Sequence, residues 1–302
     1  MRLVFSIAIC GVLSSALSAQ PAHLTVAPAH PKPGSIVRLT LSGATLRGDS
    51  VVTIVGIRGS MAGEPLHFVA AGRAIWHAIG AVPVDGPDTV IAQIVLERIS
   101  GDADTVRESV VPARPPATRP GKARRLGVAR RFTEPLDTAT EMRIKRETER
   151  ALAIGRRAHA SPPLWNTSFL RPRGSRITSR FGAGRVFNGS VTSRHLGVDF
   201  RGGIGAPVLA ANRGVVALVD TFFLAGTVIY IDHGAGVVTG YFHLSKPLAA
   251  GDTVARGQKI GLVGATGRVT GAHLHWSARY GAITVDPLDL VALGRRWYGR
   301  FD

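Results

Sequence analysis

Between about His23 and Pro112, apolar and polar residues alternate in short runs. Ile36-Val37-Arg38-Leu39-Thr40-Leu41, Val51-Val52-Thr53-Ile54-Val55 and Val90-Ile91-Ala92-Gln93-Ile94-Val95 are the clearest. A period of two puts alternate side chains on one face of a strand. Gly, Pro and Asp interrupt the runs, as at Lys32-Pro33-Gly34 and Asp85-Gly86-Pro87. Short strands at this spacing predict an immunoglobulin-like β-sandwich over residues 20–112. His23, His30, His67 and His77 are scattered through it without a catalytic constellation and read as structural or surface positions.

The pattern then changes twice. From Pro112 to Arg131, Pro and Arg dominate, which predicts an extended, charged linker. A solvated spacer and a tether to an anionic surface are equal readings of it. From about Leu136 to Ala158 the spacing is helical, with Thr133 as a candidate N-cap and Pro135 in the first turn. Glu141 and Lys145, and Arg143 and Glu147, stand four apart, as on an exposed helix. Linker and helix together span 113–160 and read as a strut between domains. Strands and glycines return over 161–302 without the repeated helical segments of βαβ units, so an antiparallel sheet domain is predicted and the chain is mainly β. Trp165 and Phe169 are expected to pack the helix onto that domain, and His159 to face solvent.

Residues 1–19 stand apart. Arg2 precedes an apolar run, Leu3 to Leu17, and Ala16-Leu17-Ser18-Ala19 has the small residues of a cleavage site, so the segment reads as a secretory signal peptide. A membrane anchor is the weaker reading, because a span needs ~20 apolar residues. The mature chain is expected to be exported to the periplasm or cell envelope with no transmembrane segment. Cys10, the sole cysteine, lies in this leader, so the remainder has no disulfides and any metal ligands must be His, Asp or Glu. The net charge of +17 admits nucleic acid, anionic lipid or anionic wall polymer as partner. No basic motif with interleaved aromatics appears, so nucleic acid is set aside in favour of the envelope.

Two short segments carry the candidate chemistry. They are His195-Leu196-Gly197-Val198-Asp199-Phe200 and His273-Leu274-His275-Trp276, with Tyr241-Phe242-His243-Leu244-Ser245 between them. In a strand His273 and His275 point into the same space. His195 and Asp199 can reach one face of an extended segment, while Val198, Phe200, Leu274 and Trp276 anchor the other face in a core. Catalytic zinc takes three His or carboxylate ligands and keeps one position open. Spacing alone leaves metal binding and coincidence evenly matched.

The flanking residues add a resemblance. Ile177-Thr178-Ser179-Arg180-Phe181-Gly182, Ser193-Arg194 before His195, Gly205-Ala206-Pro207-Val208-Leu209-Ala210-Ala211, Gly214-Val215-Val216 and Gly251-Asp252-Thr253-Val254 follow in order. Gly257-Gln258-Lys259-Ile260-Gly261 and Gly264-Ala265-Thr266-Gly267-Arg268-Val269-Thr270-Gly271-Ala272 lead into His273. Over roughly 164–290 this series resembles the lysostaphin/LytM family of peptidoglycan zinc metalloendopeptidases. The resemblance implies one zinc per chain held by His195, Asp199 and His275. It implies His243 and His273 as the two non-ligand catalytic histidines, and peptidoglycan as the partner.

One stretch departs from part of that family. Some members carry a tyrosine shortly before the first metal histidine, whereas Val186-Phe187-Asn188-Gly189-Ser190-Val191 has none. This disfavours glycine-bridge cleavage and favours a D-alanyl–diaminopimelate cross-link. Arg180 and Arg194 are candidate contacts for substrate carboxylates, or else rim charges. His233, beside a glycine turn, reads as structural. The alternatives to an active wall endopeptidase are a non-catalytic or autoinhibited envelope protein that activates another hydrolase, and a zinc peptidase acting on proteins.

Overall fold

The computed structural model describes residues 22–43, 54–98, 100–113, 123–247 and 253–297. The leader, Val51–Thr53 of one expected strand, and Gly251-Asp252 lie outside them. Eight strands form the N-terminal unit: β1 His23–Ala27, β2 Ile36–Ser42, β3 Ile54–Met61, β4 Glu64–Pro65, β5 Val69–Gly72, β6 Ile75–Ala81, β7 Val90–Arg98 and β8 Ala103–Val110. They pair antiparallel in two sheets, ordered β1-β2-β6-β5 and β4-β3-β7-β8. Leu39, Leu41 and Ala78 of the first sheet meet Met61, Ile94 and Leu96 of the second in one core. The alternation in β7 is literal: Val90, Ala92, Ile94 and Leu96 are buried and Ile91 is exposed.

The linker is followed by β9 Arg124–Leu126, α1 Thr138–Arg157, β10 Ile177–Ser179, β11 Gly184–Phe187, β12 Val191–Arg194, β13 Val198–Arg201, β14 Pro207–Leu209 and β15 Gly214–Phe222. Then come β16 Gly226–Asp232, β17 Val237–Pro247, β18 Thr253–Val254, β19 Lys259–Val263, β20 His273–Tyr280, β21 Ile283–Val285 and α2 Pro287–Trp297. The main sheet runs β10-β13-β20-β17-β16-β15-β18, with β14 and β19 branching from β17 and β21 pairing with β20. The basic segment is not spacer throughout: β9 pairs in parallel with β11, in a small sheet ordered β12-β11-β9.

The helix differs from its sequence reading in three ways. It starts at Thr138, where the Asp137 carboxylate accepts from the Thr140 N–H at 2.7 Å. An acidic cap both satisfies an orphan donor and opposes the helix dipole. Thr133 instead closes the preceding turn through the Arg130 carbonyl. The helix is also no free strut, since Ala151, Ile154 and Ala158 pack on Phe222, Val228, Tyr230 and Val238 of the main sheet. Trp165 and Phe169 do not make that contact; they meet edge to face, and Phe169 meets His233 within the domain core.

His159, expected in solvent, is largely buried. Its Nε2 lies 3.0 Å from Glu64 Oε2 and its Nδ1 lies 2.9 Å from His67 Nε2, so it joins the two units. Nearby, Ala282 N–H donates to Glu64 and the Tyr280 hydroxyl donates to the Pro65 carbonyl. On a second seam Ile36, Ile79 and Ala81 of the sandwich enter the core of the C-terminal sheet, and Ile36 N–H donates to Asp289 at 3.0 Å. No described helix is long and apolar enough to cross a membrane.

Candidate metal centre

Strands β13 and β20 set the face on which the site is built. Their antiparallel register places Asp199 opposite His275 and Arg201 opposite His273. Val198, Phe200, Leu274 and Trp276, one residue out of phase, are fully buried on the other face. The period of two therefore directs Asp199, His273 and His275 together. His195 arrives from the segment between β12 and β13, fixed by its own N–H on the Ala183 carbonyl and its carbonyl on the Gly182 N–H, both 2.8 Å.

The ligand atoms converge. His195 Nε2 is 2.9 Å from His275 Nδ1 and 3.0 Å from Asp199 Oδ1, and His275 Nδ1 is 2.9 Å from the same oxygen. His195 Nδ1 lies 2.9 Å from the Arg180 carbonyl, which can only accept, so the proton sits on Nδ1 and the Nε2 lone pair faces inward. Two nitrogens and a carboxylate oxygen held this close, with His195 and Asp199 buried, make a donor set suited to a divalent metal ion. Burial opposes the charge on Asp199, but hydrogen bonds with His195 and His275 overrule it and hold the carboxyl far below the ordinary carboxylate range. Burial drives His275 down to about 4, so its ring is neutral at neutral pH.

Several supporting residues escaped the sequence reading. Arg185 of β11 donates to Asp199 Oδ2 and to Ser179 Oγ, and Ser179 Oγ lies 3.0 Å from His195 Nδ1. The Phe242 ring stacks on His275 at 5.1 Å and 16°. Arg185 stands ten positions before His195, and only the β11–β12 hairpin brings it back, so no spacing rule could reveal it. Gly197 is needed for space: a Cβ there would lie 2.5 Å from His275 Nε2 and 2.7 Å from the Trp276 carbonyl.

His243 comes from an irregularity in β17. Tyr241 and Phe242 stay in register with Trp276 and His275, but the pairing with β16 slips before Leu244, and His243 has φ +62°. Such a bulge re-aims one side chain at a backbone cost of ~1–3 kcal/mol. The His243 N–H is tied to the Ala225 carbonyl at 3.0 Å and its Nδ1 donates to the Thr266 carbonyl at 2.8 Å. His273 Nδ1 donates to Gly271 at 2.8 Å, and its Nε2 lies 3.7 Å from Asp199 Oδ1. The two rings are 4.9 Å apart, and among the described residues neither Nε2 makes a hydrogen bond. Burial, then the neighbouring His273 and His275, hold His243 well below the usual histidine range.

Arg194 pairs with Asp85 of the sandwich at 2.8 Å, and the Arg180 side chain is exposed. His233 is fully buried, with Nδ1 donating to the Arg213 carbonyl and Nε2 on the Thr239 hydroxyl, a structural role.

Residues 193–287 match the profile of Peptidase family M23, and that segment holds the five candidate metal and catalytic residues. Over 105 residues the chain is 47% identical to the peptidoglycan DD-endopeptidase ShyA of Vibrio cholerae, covering 33% of this chain and 24% of that protein. It is 40% identical over 97 residues to the DD-carboxypeptidase/endopeptidase Mpg of Neisseria meningitidis, covering 32% and 23%. The matched part thus spans about a quarter of the length of these relatives. A crystal structure of a putative peptidase M23 from Pseudomonas aeruginosa superposes with TM-score 0.62 at 27% identity, over 86% of this chain and 95% of that one. The profile match, the aligned relatives and this neighbour agree that residues 193–287 are similar to the domain of peptidase family M23.

Proposed function

We propose that the chain is a zinc metalloendopeptidase of the cell envelope that hydrolyses peptide cross-links of peptidoglycan, with the D-alanyl–diaminopimelate bond as its target. The observation that carries this reading is the convergence of His195 Nε2, Asp199 Oδ1 and His275 Nδ1 within 3.0 Å of one another, beside two histidines that spend no donor on that cluster. These three residues would hold one zinc. When bound, zinc supplies Lewis acidity, activating a water and polarising the scissile carbonyl.

The protein's own groups supply the proton handling. Neutral His243, anchored at Nδ1, offers Nε2 as a proton acceptor and, once charged, can donate from the same atom to the leaving amine. His273, anchored likewise at Nδ1, would hydrogen-bond the developing oxyanion from Nε2 when its ring carries the second proton. Arg185 and Ser179 orient the ligands, and Arg180 and Arg194 are the outer candidates for substrate contact. The relatives named as DD-endopeptidases favour the wall as substrate.

Digestion of purified sacculi by the mature chain, with products identified by mass spectrometry, tests this. The expected result is loss of D-alanyl–diaminopimelate dimers with release of the corresponding monomers. Intact dimers after incubation with folded, zinc-loaded protein would contradict the assignment.

A further inference from the structure

The concavity that contains Asp199, His243 and His273 is walled on one side by arginines, namely Arg124, Arg185, Arg201 and Arg268. Arg185 is neutralised by Asp199. Among the described residues no carboxylate pairs with the other three. Arg268 is half-buried with its guanidinium 4.2 Å from the centre of the Phe187 ring. A stacked guanidinium has its plane fixed and its N–H edges free for a planar anion.

Arg124 comes from the linker, and its position is not accidental. Parallel pairing sets Arg124 against Arg185, Arg125 against Val186 and Leu126 against Phe187. Asn188 then locks the strand: its N–H donates to the Leu126 carbonyl at 2.9 Å, and its side chain bonds both the N–H and the carbonyl of Val128. Residues 111–131 contain seven Lys or Arg and no Asp or Glu, so the segment brings no counter-charge of its own. Guanidiniums gathered around one concavity repel, and burial together with Arg185 disfavours the charge on Arg268. A bound anion relieves both, and the arginine fork fits a carboxylate bidentately.

We propose that Arg124, Arg201 and Arg268 form a carboxylate subsite beside the metal centre, so that linker strand β9 completes the substrate groove. The ligand class is a peptide with a free carboxylate close to the bond cut. The inference rests on the peptidase reading and adds to it the charge of the substrate and the residues that sense it.

Fluorescence anisotropy on the zinc-loaded full chain tests it, using a labelled wall stem tetrapeptide, which has no cross-link to cut, and its amidated counterpart. Charge-assisted hydrogen bonds of this kind predict about tenfold tighter binding of the acid. Arg124→Gln and Arg268→Gln should each bring the acid-to-amide ratio towards one, and since Arg124 is exposed its variant should fold as the parent does. Equal affinity of the parent for acid and amide overturns the subsite. A ratio changed only by Arg268→Gln overturns the part given to the linker. Turnover of a cross-linked dimer is read separately: selective binding without cleavage contradicts the peptidase reading alone, and cleavage indifferent to amidation overturns the subsite alone.

Discussion

At the scale of single residues, the candidate site depends on groups that hold the ligand side chains in place. Arg185 is the clearest, because removing it leaves Asp199 Oδ2 buried and unpaired and frees Ser179. Arg185→Leu should weaken zinc binding by about 10–100-fold, measured by competition with a chromogenic chelator. Gly197→Ala should act similarly by pushing the His275 ring, since its new Cβ would meet Nε2 at 2.5 Å. His233 makes the pH prediction. Burial lowers it to about 4 from an ordinary 6.5, so between those values the unfolded chain binds a proton that the folded chain refuses. Stability must therefore fall as pH drops from about 6.5 towards about 4, and level off below. From pH 7 to pH 5 this group costs about 2 kcal/mol, and His233→Gln should remove that part of the slope in urea denaturation. The main donors, His195, Asp199 and His275, were legible in the sequence because period-two spacing and an ordered series of motifs both point to them. Arg185, Ser179 and Phe242 were not, because their proximity is created by hairpin register and cross-strand packing rather than by spacing.

At the scale of elements, strands were easier to read than the helix. The runs in β2 and β7 alternate because each covers one face of a core, and that period survives in the sequence. The helix start moved four residues, from the Thr133 cap to Asp137, because several residues there can cap and only the local turn decides among them. Its buried face was hidden for a related reason: Ala151, Gly155 and Ala158 are small, so a contact surface looked like a polar helix. Glu147, taken as an exposed partner of Arg143, also accepts from the Phe223 N–H and docks the helix. Gly155 sets two effects against each other. Alanine is better in a helix interior by ~1 kcal/mol. Its Cβ, however, would fall 1.9 Å from the Gly281 carbonyl, so the helix would have to lift from the sheet. Gly155→Ala should therefore lower Tm by several degrees in calorimetry, whereas a rise would mean that the helix does not pack as described.

At the scale of the whole molecule, the sandwich and the C-terminal domain share structure. Ile36, Ile79 and Ala81 lie in the core of the C-terminal sheet, and Glu64 takes hydrogen bonds from Ala282 and His159. Deleting residues 20–112 should then destabilise the remaining domain, seen as a lower melting temperature, rather than simply uncover its groove. The sequence carried no sign of this seam, because its residues look like ordinary members of two separate cores. On the proposed function, one metal at His195, Asp199 and His275 would give the chain peptidase activity. The most direct test is to titrate zinc into metal-free full-length protein while following cleavage of a purified cross-linked muropeptide dimer, with His275→Ala alongside. Activity is expected to rise linearly to one zinc per chain and to be absent in the variant. Cleavage that persists in metal-free protein, or one tightly bound zinc with no cleavage at all, would contradict it.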